Sequence, residues 1–415
     1  MEDLRSLAKF VNDSIQQIGD SYSRRGMTFP FLEEPFAAGN ANACYDDPVV
    51  KQAAANAIAA AAQIAAIVRP PSDTIILTSH QDLHVEEIAR LAFISANRLS
   101  RILRLLASEH IFAEVEPDVF ANNRISSVID TEKTLEEIPA NPEGKYVGTS
   151  GIATVVDHIV HHGQKSSAYL TETLLGPKTA FSEQPTDAPL NRAFRTDLTV
   201  WEWLELPENK HDLRFFSMAM RGNSKILPAD AILNGHDFSA LTAGSVVVDV
   251  AGGVGSQTVL LARAHPNLRY IVQDRAAMSG EMQQNVSVFF MRMILHDWPD
   301  DKCIVILKNL RGAAQPTTKL LILEFLLSFA VPTTASGIQD DDTPKPPAPL
   351  LLNAGHAGLL PHLYDMTMMV GMNGARERTL EQFGALFDAS GWKIERVYRA
   401  PYFVNAHSQI VLVPV

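Results

Sequence analysis

The sequence predicts an α/β protein: an open sheet domain of alternating strands and helices, preceded by a mostly helical module that closes in a small winged helix. Three observations carry this reading. Val246-Val247-Val248-Asp249-Val250 is a run broken by a single acid, as suits a strand buried on both faces. Ala251-Gly252-Gly253-Val254-Gly255 follows, a turn whose missing side chains let the backbone approach a ligand closely. Ser256 to Ala264 then reads as a helix and Leu268 to Val272 as a second strand, with Asp274 at its carboxyl end. An acid in that place can hold both hydroxyls of a ribose, so the segment predicts a nucleoside site.

Residues 1 to 140 read as helices and then a short β segment. Pro48 to Val68 is a long Ala-rich helix suited to packing against another helix or a second subunit. His84 to Ala92 and Ser95 to Glu109 form a helix-turn-helix pattern, followed by a hairpin of Phe112 to Glu116 and Val119 to Ala121. A DNA-reading winged helix would place Arg98, Arg101 and Arg104 on its recognition helix. Glu86, Glu87, Glu109, Glu114, Glu116 and Asp118 crowd the same module, so a structural or dimerising role is expected instead.

Residues 141 to 240 read as helices that feed and line a pocket, because Trp201, Trp203, Phe215, Phe216, Met218 and Met220 concentrate large adaptable side chains just before the nucleoside strand. His158, His161 and His162 share a helix face and raise the question of a metal. No acid or cysteine stands at a convincing spacing from them, so none is expected.

Residues 241 to 415 complete the α/β domain. Val286 to Met291 is an apolar strand ending at Arg292. Asp301 to Gly312 reads as a helix, and Lys319 to Glu324 as a strand closing on a carboxylate. Pro332 to Pro349 is rich in Pro, Thr and Asp and reads as a surface loop. Helices at Leu363 to Met372 and Thr379 to Ser390, then strands at Trp392 to Tyr398 and Gln409 to Val413, end the chain.

Composition narrows the function. The chain has 415 residues, 46% hydrophobic and 20% charged, which describes an ordinary soluble globular protein of two or three domains. A net charge of −12 argues against nucleic acid or an anionic membrane as partner. Cys44 and Cys303 give no disulfide framework and no signal peptide is evident, so a cytoplasmic location is expected. Ala53 to Val68, the longest small-apolar stretch, contains Gln63 and falls short of a membrane span.

The order of the glycine turn after Asp249, the distal Asp274, Leu295-His296-Asp297-Trp298, the strand closing on Glu324 and Arg376-Glu377-Arg378-Thr379 resembles the S-adenosylmethionine-dependent O-methyltransferases of the plant caffeate and flavonoid type, in the fungal branch that acts on secondary metabolites. The resemblance runs from about residue 50 to the C-terminus. It implies a Rossmann-like catalytic domain behind a winged-helix dimerisation domain, a homodimer, S-adenosylmethionine as methyl donor, and a small aromatic or polyketide substrate. Carried over by position, Asp249, Ala251, Gly253 and Gly255 form the donor turn, with Ala251 in place of a usual glycine. Asp274 binds ribose, Arg292 stands near the donor and Trp298 borders adenine. His296 is the catalytic base, held by Glu324 and Glu377, and Phe216, Met220 and Asn373 line the substrate.

The chemistry agrees. A phenol with pKa near 10 is mostly protonated at neutral pH, and a histidine within reach can take its proton as attack proceeds, worth about 10²–10⁴-fold. A carboxylate on the other ring nitrogen fixes the tautomer. One departure stands out: 21 residues separate Asp274 from His296, and the strand from Val286 uses seven of them. Arg275 to Asn285 therefore has room for one short helix, where the family places a further edge strand that walls the adenine pocket. Two alternatives stay open beside methylation: a donor-dependent cyclase or pericyclase on the same fold, and a catalytically impaired scaffold.

Overall fold

The computed structural model describes residues 2–29, 47–68, 83–123, 125–131, 133–134, 137–141, 144–149, 151–226, 229–274, 285–332, 345–399 and 407–415. The chain divides into two compact units, Met1–Thr149 and Ser150–Val415.

In the first unit, helices Glu2–Arg24 and Pro48–Val68 pack against each other around the buried Tyr22 and Val50. Strands β1 (Leu83–His84), β2 (Phe112–Glu116) and β3 (Val119–Asn122) form an antiparallel sheet in the order β1-β3-β2. Helices Val85–Ala92 and Ala96–Ser108 close over it on a core of Val85, Leu103, Phe112 and Phe120, giving the expected winged helix. Arg104 spends its charge inside the module, with Nη2 at 3.0 Å from Glu114 and 2.8 Å from Asp118. A phosphate backbone would have to compete with both acids for that guanidinium.

The second unit is built on six strands: β4 (Val246–Val250), β5 (Arg269–Gln273), β6 (Val286–Arg292), β7 (Lys319–Glu324), β8 (Trp392–Tyr398) and β9 (Ser408–Pro414). Their order is β5-β4-β6-β7-β9-β8. The first four run parallel, while β9 pairs antiparallel with both β7 and β8. Alternation explains the unbroken apolar runs. Val246, Val248 and Val250 face helices Asp300–Ala313 and Leu380–Ser390 together with Phe289, Met291 and Ile322. Val247, Val288, Phe290, Leu321 and Leu323 face Leu261, Ile232 and Phe238 on the other side. Both faces are covered at the central strands β4, β6 and β7, so nearly every position there is a core position, whereas β5 and β8 keep exposed residues such as Arg269 and Lys393.

Helices Leu360–Gly371 and Leu380–Ser390 begin and end within three residues of the expected bounds, and Thr379 caps the second by accepting from the Gln382 amide. The expected short helix over Arg275 to Asn285 lies outside the described residues except Asn285, as does most of the expected loop from Pro332 to Pro349. β5 and β8 are the edge strands among the described residues, and β6 lies on the far side of β4 from β5.

Candidate active site

The parallel strands bring four functional segments to one edge of the sheet, because β4, β5, β6 and β7 all end there. The turn after β4 is tightly folded. Ala251, Gly253 and Gly255 have φ of 57°, 56° and 75°, in the left-handed region. A Cβ on Gly252 would lie 2.3 Å from the Asp249 carboxyl carbon, so only glycine fits over that acid. A Cβ on Gly253 would meet nothing within 4 Å, leaving open space above the turn. Asp249 is buried and accepts from Thr258 Oγ1 at 2.7 Å. Burial pushes its carboxyl up to about 6 despite that hydrogen bond. Asp274, past the end of β5, accepts from the Gly253 amide at 2.7 Å, so the turn and the acid are locked together.

The turn after β6 carries His296. Met293 takes φ of 55°, which reverses the chain so that the Ile294 and Leu295 amides both reach Glu324 Oε1 at 2.9 Å. From the opposite side, Arg378 donates to the carbonyls of Leu295 and Trp298 at 2.8 Å each and to Asp300 at 2.8 and 3.0 Å. The Arg376 amide donates to the His296 carbonyl at 2.9 Å. This turn, Leu295–Asp297, has almost no freedom left.

His296 is 6% exposed, and its Nδ1 meets Glu377 Oε1 at 2.7 Å. Its Nε2 stands 3.3 Å from Asp297 Oδ1. Burial alone would lower the imidazole pKa, but Asp297, Glu377 and Glu324 outweigh it and hold His296 above the ordinary histidine range. Burial pushes Glu324 up to about 7 and Asp297 up to about 6. The Glu377 amide donates to Asp365 at 2.9 Å, which fixes the acid's backbone.

The expected pairing is refined at one point. Of the two expected acids, Glu377 hydrogen-bonds the His296 ring, whereas Glu324 holds the backbone of the turn. Asp297, Arg378, Asp300 and Asp365 were not singled out as functional. Asp297 and Arg378 adjoin the motifs, but no local pattern marks Asp365. Arg292 is largely buried and donates from Nε to His407 Nδ1 at 3.4 Å. Trp298 packs half-buried against the sheet core. Phe216 meets Trp201 and His158 edge-on at ring separations of 5.5 and 5.3 Å, and Met220, one turn on, is 38% exposed. Asn373 donates to the Ser182 carbonyl at 2.6 Å, so it ties two loops together.

The model of the family described as O-methyltransferase domain matches residues 277–338. An O-methyltransferase of Armillaria gallica is 35% identical over 452 aligned positions, covering 95% of each chain. 4-O-methyltransferase 1 of Phanerochaete chrysosporium is 32% identical, covering 95% of this chain and 96% of that one. Among solved structures, OxaC in complex with sinefungin and meleagrin superposes with a TM-score of 0.60 at 17% identity, over 98% of this chain and 99% of that one. A structure described as a pericyclic reaction enzyme superposes with a TM-score of 0.59 at 16% identity, over the whole of both chains.

Proposed function

The chain belongs to the O-methyltransferase family, and on that premise we propose that it methylates a phenolic or enolic hydroxyl of a small aromatic or polyketide metabolite, with S-adenosylmethionine as donor. The observation that carries the reading is the 2.7 Å contact of His296 with Glu377 at the sheet edge that also bears the glycine turn and Asp274. The open space above Gly253 and the carboxylate of Asp274 beside it fit a nucleoside donor. Asp249, Ala251, Gly253 and Gly255 would shape its seat, with Asp274 on its ribose and Arg292 and Trp298 nearby.

When bound, the donor supplies an electrophilic methyl group and a positive charge that disfavours the imidazolium. His296 Nε2 takes the hydroxyl proton as the oxygen attacks. Glu377 keeps the Nδ1 proton in place and stabilises the ring as it becomes cationic. Glu324, through the amides of Ile294 and Leu295, sets the height of the ring above the sheet. Phe216 and Met220, one turn apart on the helix Lys210–Ile226, offer an apolar wall to a flat substrate. The remaining acceleration comes from holding two reactants in line.

The chain is also read as a homodimer through residues 1 to about 130. The first unit exposes Phe10, Ile15, Ile58, Val68, Phe93 and Leu105, with Ile58 at 71% and Phe93 at 92%. Apolar surface on this scale favours a partner.

A labelled-methyl assay over a panel of phenols and enols tests the reading. Label in a methyl ether product is expected. Donor binding without transfer would favour the cyclase alternative, and absence of both would favour a scaffold.

A further inference from the structure

The helix Ile152–His158 runs on into a π-helical turn, Ile159–Gln164, a distortion that in other proteins gathers at functional sites. It packs closely against the helix Lys210–Ile226. A Cβ on Gly222 would lie 2.2 Å from the Gly151 carbonyl oxygen, so the two backbones touch where only glycine allows it. From that contact, His162 lies eleven residues forward and Asp212 ten residues back, roughly 15–17 Å along each antiparallel helix. The matched spacing brings the acid onto the histidines. It supplies the carboxylate that no local spacing offered.

Asp212 Oδ1 stands 3.1 Å from His162 Nε2 and 3.7 Å from His161 Nε2. Ligand atoms around a tetrahedral ion with bonds of ~2.0–2.1 Å stand roughly 3.3–3.4 Å apart, between these two distances. All three groups offer ligand atoms within 4.8 Å of one another. His162 is buried, flanked by Phe194 stacked at 5.6 Å and Trp203 edge-on at 5.9 Å, so its ring has one orientation. The His161 side chain is 55% exposed and leaves the site open to solvent.

His162 Nδ1 meets His158 Nδ1 at 3.1 Å. With its own proton on Nε2, the His158 ring presents an Nδ1 lone pair that can accept the His162 Nδ1 proton over that distance. That arrangement commits the Nε2 lone pair of His162 to the side where Asp212 and His161 lie, as in a metal-ligating histidine.

We infer that His161, His162 and Asp212 form a binding site for one divalent transition-metal ion of the zinc class, with His158 orienting His162 and water completing the shell. The ion would pin the π turn to the helix that carries Phe216 and Met220, and so stiffen the apolar wall.

The untagged full-length chain, stripped with chelator, is dialysed against micromolar Zn²⁺, and Co²⁺ is titrated in parallel while visible absorption is read. One equivalent of zinc and a four-coordinate Co²⁺ band are expected. His161→Ala, at an exposed position, and Asp212→Asn are each expected to abolish the band. His158→Ala is expected to weaken binding by about 10–100-fold. His296→Ala is expected to bind as the parent does. No retained zinc, or full binding by both His161→Ala and Asp212→Asn, would overturn the site. Loss of the band in His296→Ala alone would move the ion to the buried His296, Glu324 and Glu377 group and equally overturn it.

Discussion

Glu377 accepts a 2.7 Å hydrogen bond from Nδ1 of His296, while its second carboxylate oxygen, fully buried, meets no hydrogen-bond donor among the described residues. A buried carboxylate with one partner has its charge directed at that partner. The ring is therefore fixed in tautomer and biased towards its cation, the form it must reach when it takes a substrate proton.

Replacing His296 with alanine is expected to leave donor affinity nearly intact and to lower turnover by about 10²–10⁴-fold. Donor calorimetry and single-turnover rates measure the two separately. A fall in turnover of less than about tenfold would exclude base catalysis by this residue.

The rate is expected to rise with pH through the alkaline range, because His296 sits above the ordinary histidine pKa and must lose its Nε2 proton before it can act. Asp297→Asn removes a negative charge 3.3 Å from that nitrogen and should move the kcat/KM profile to lower pH. The stability sign follows the same shift. A raised folded pKa contributes stability below about 6.5, the unfolded value, and that contribution is lost as pH climbs through the folded value. The melting temperature of the parent should thus fall over the alkaline range more steeply than that of His296→Gln. Parallel curves would contradict the assignment.

Ala251 holds φ of 57° where a glycine would be unstrained. A left-handed alanine costs about 1–2 kcal/mol, and the extra unfolded-state freedom of glycine offsets about half of that. Ala251→Gly is expected to stabilise the protein by no more than about 1 kcal/mol, and Ala251→Val to destabilise it and weaken donor binding. Denaturant titration of the three proteins checks the order Gly, Ala, Val.

Arg378 is fully buried and serves two carbonyls of the His296 turn as well as Asp300. Lysine cannot reproduce that fork. Arg378→Lys should cost about 2–3 kcal/mol, below the usual range for breaking a buried pair because Asp300 is 44% exposed. It should also lower kcat with little change in KM, since the turn that carries His296 would lose one of its clamps. An unchanged kcat would show that Glu324 and the Arg376 amide suffice.

Light scattering at micromolar concentration is expected to give a dimer mass. Phe93→Asp together with Ile58→Asp, at two exposed apolar positions of the first unit, should give a monomer. A monomeric parent would refute the dimer reading.

The strand, turn, helix and acid around Asp249 to Asp274 were legible because the chemistry is local: alternation, missing side chains and one carboxylate fall within a single stretch. His296 and Glu377 were legible through motif order, although 81 residues part them. What escaped were contacts made by packing alone. Asp212 reaches His162 across 50 residues because two glycines let two helices touch. Asn373 reaches Ser182 across 191 residues, and nothing near either position announces it. Glu324 was placed correctly at its strand end, but whether its carboxylate meets a ring or a backbone amide depends on the reversal at Met293.

β9 lies hydrogen-bonded between β7 and β8, with Glu324 of β7 paired to Ser408. Ribosomal synthesis makes β8 before β9, so β7 emerges long before the strand that covers its open side. Until residues 408–414 have been made, Leu320 to Leu323 lie on an apolar strand with a bare edge, the kind that invites pairing with a neighbouring chain. Nascent chains stalled or cut in this interval are candidates for chaperone capture, and the His296 turn, which leans on Glu324, is assembled on a finished sheet only after translation has passed the last strand.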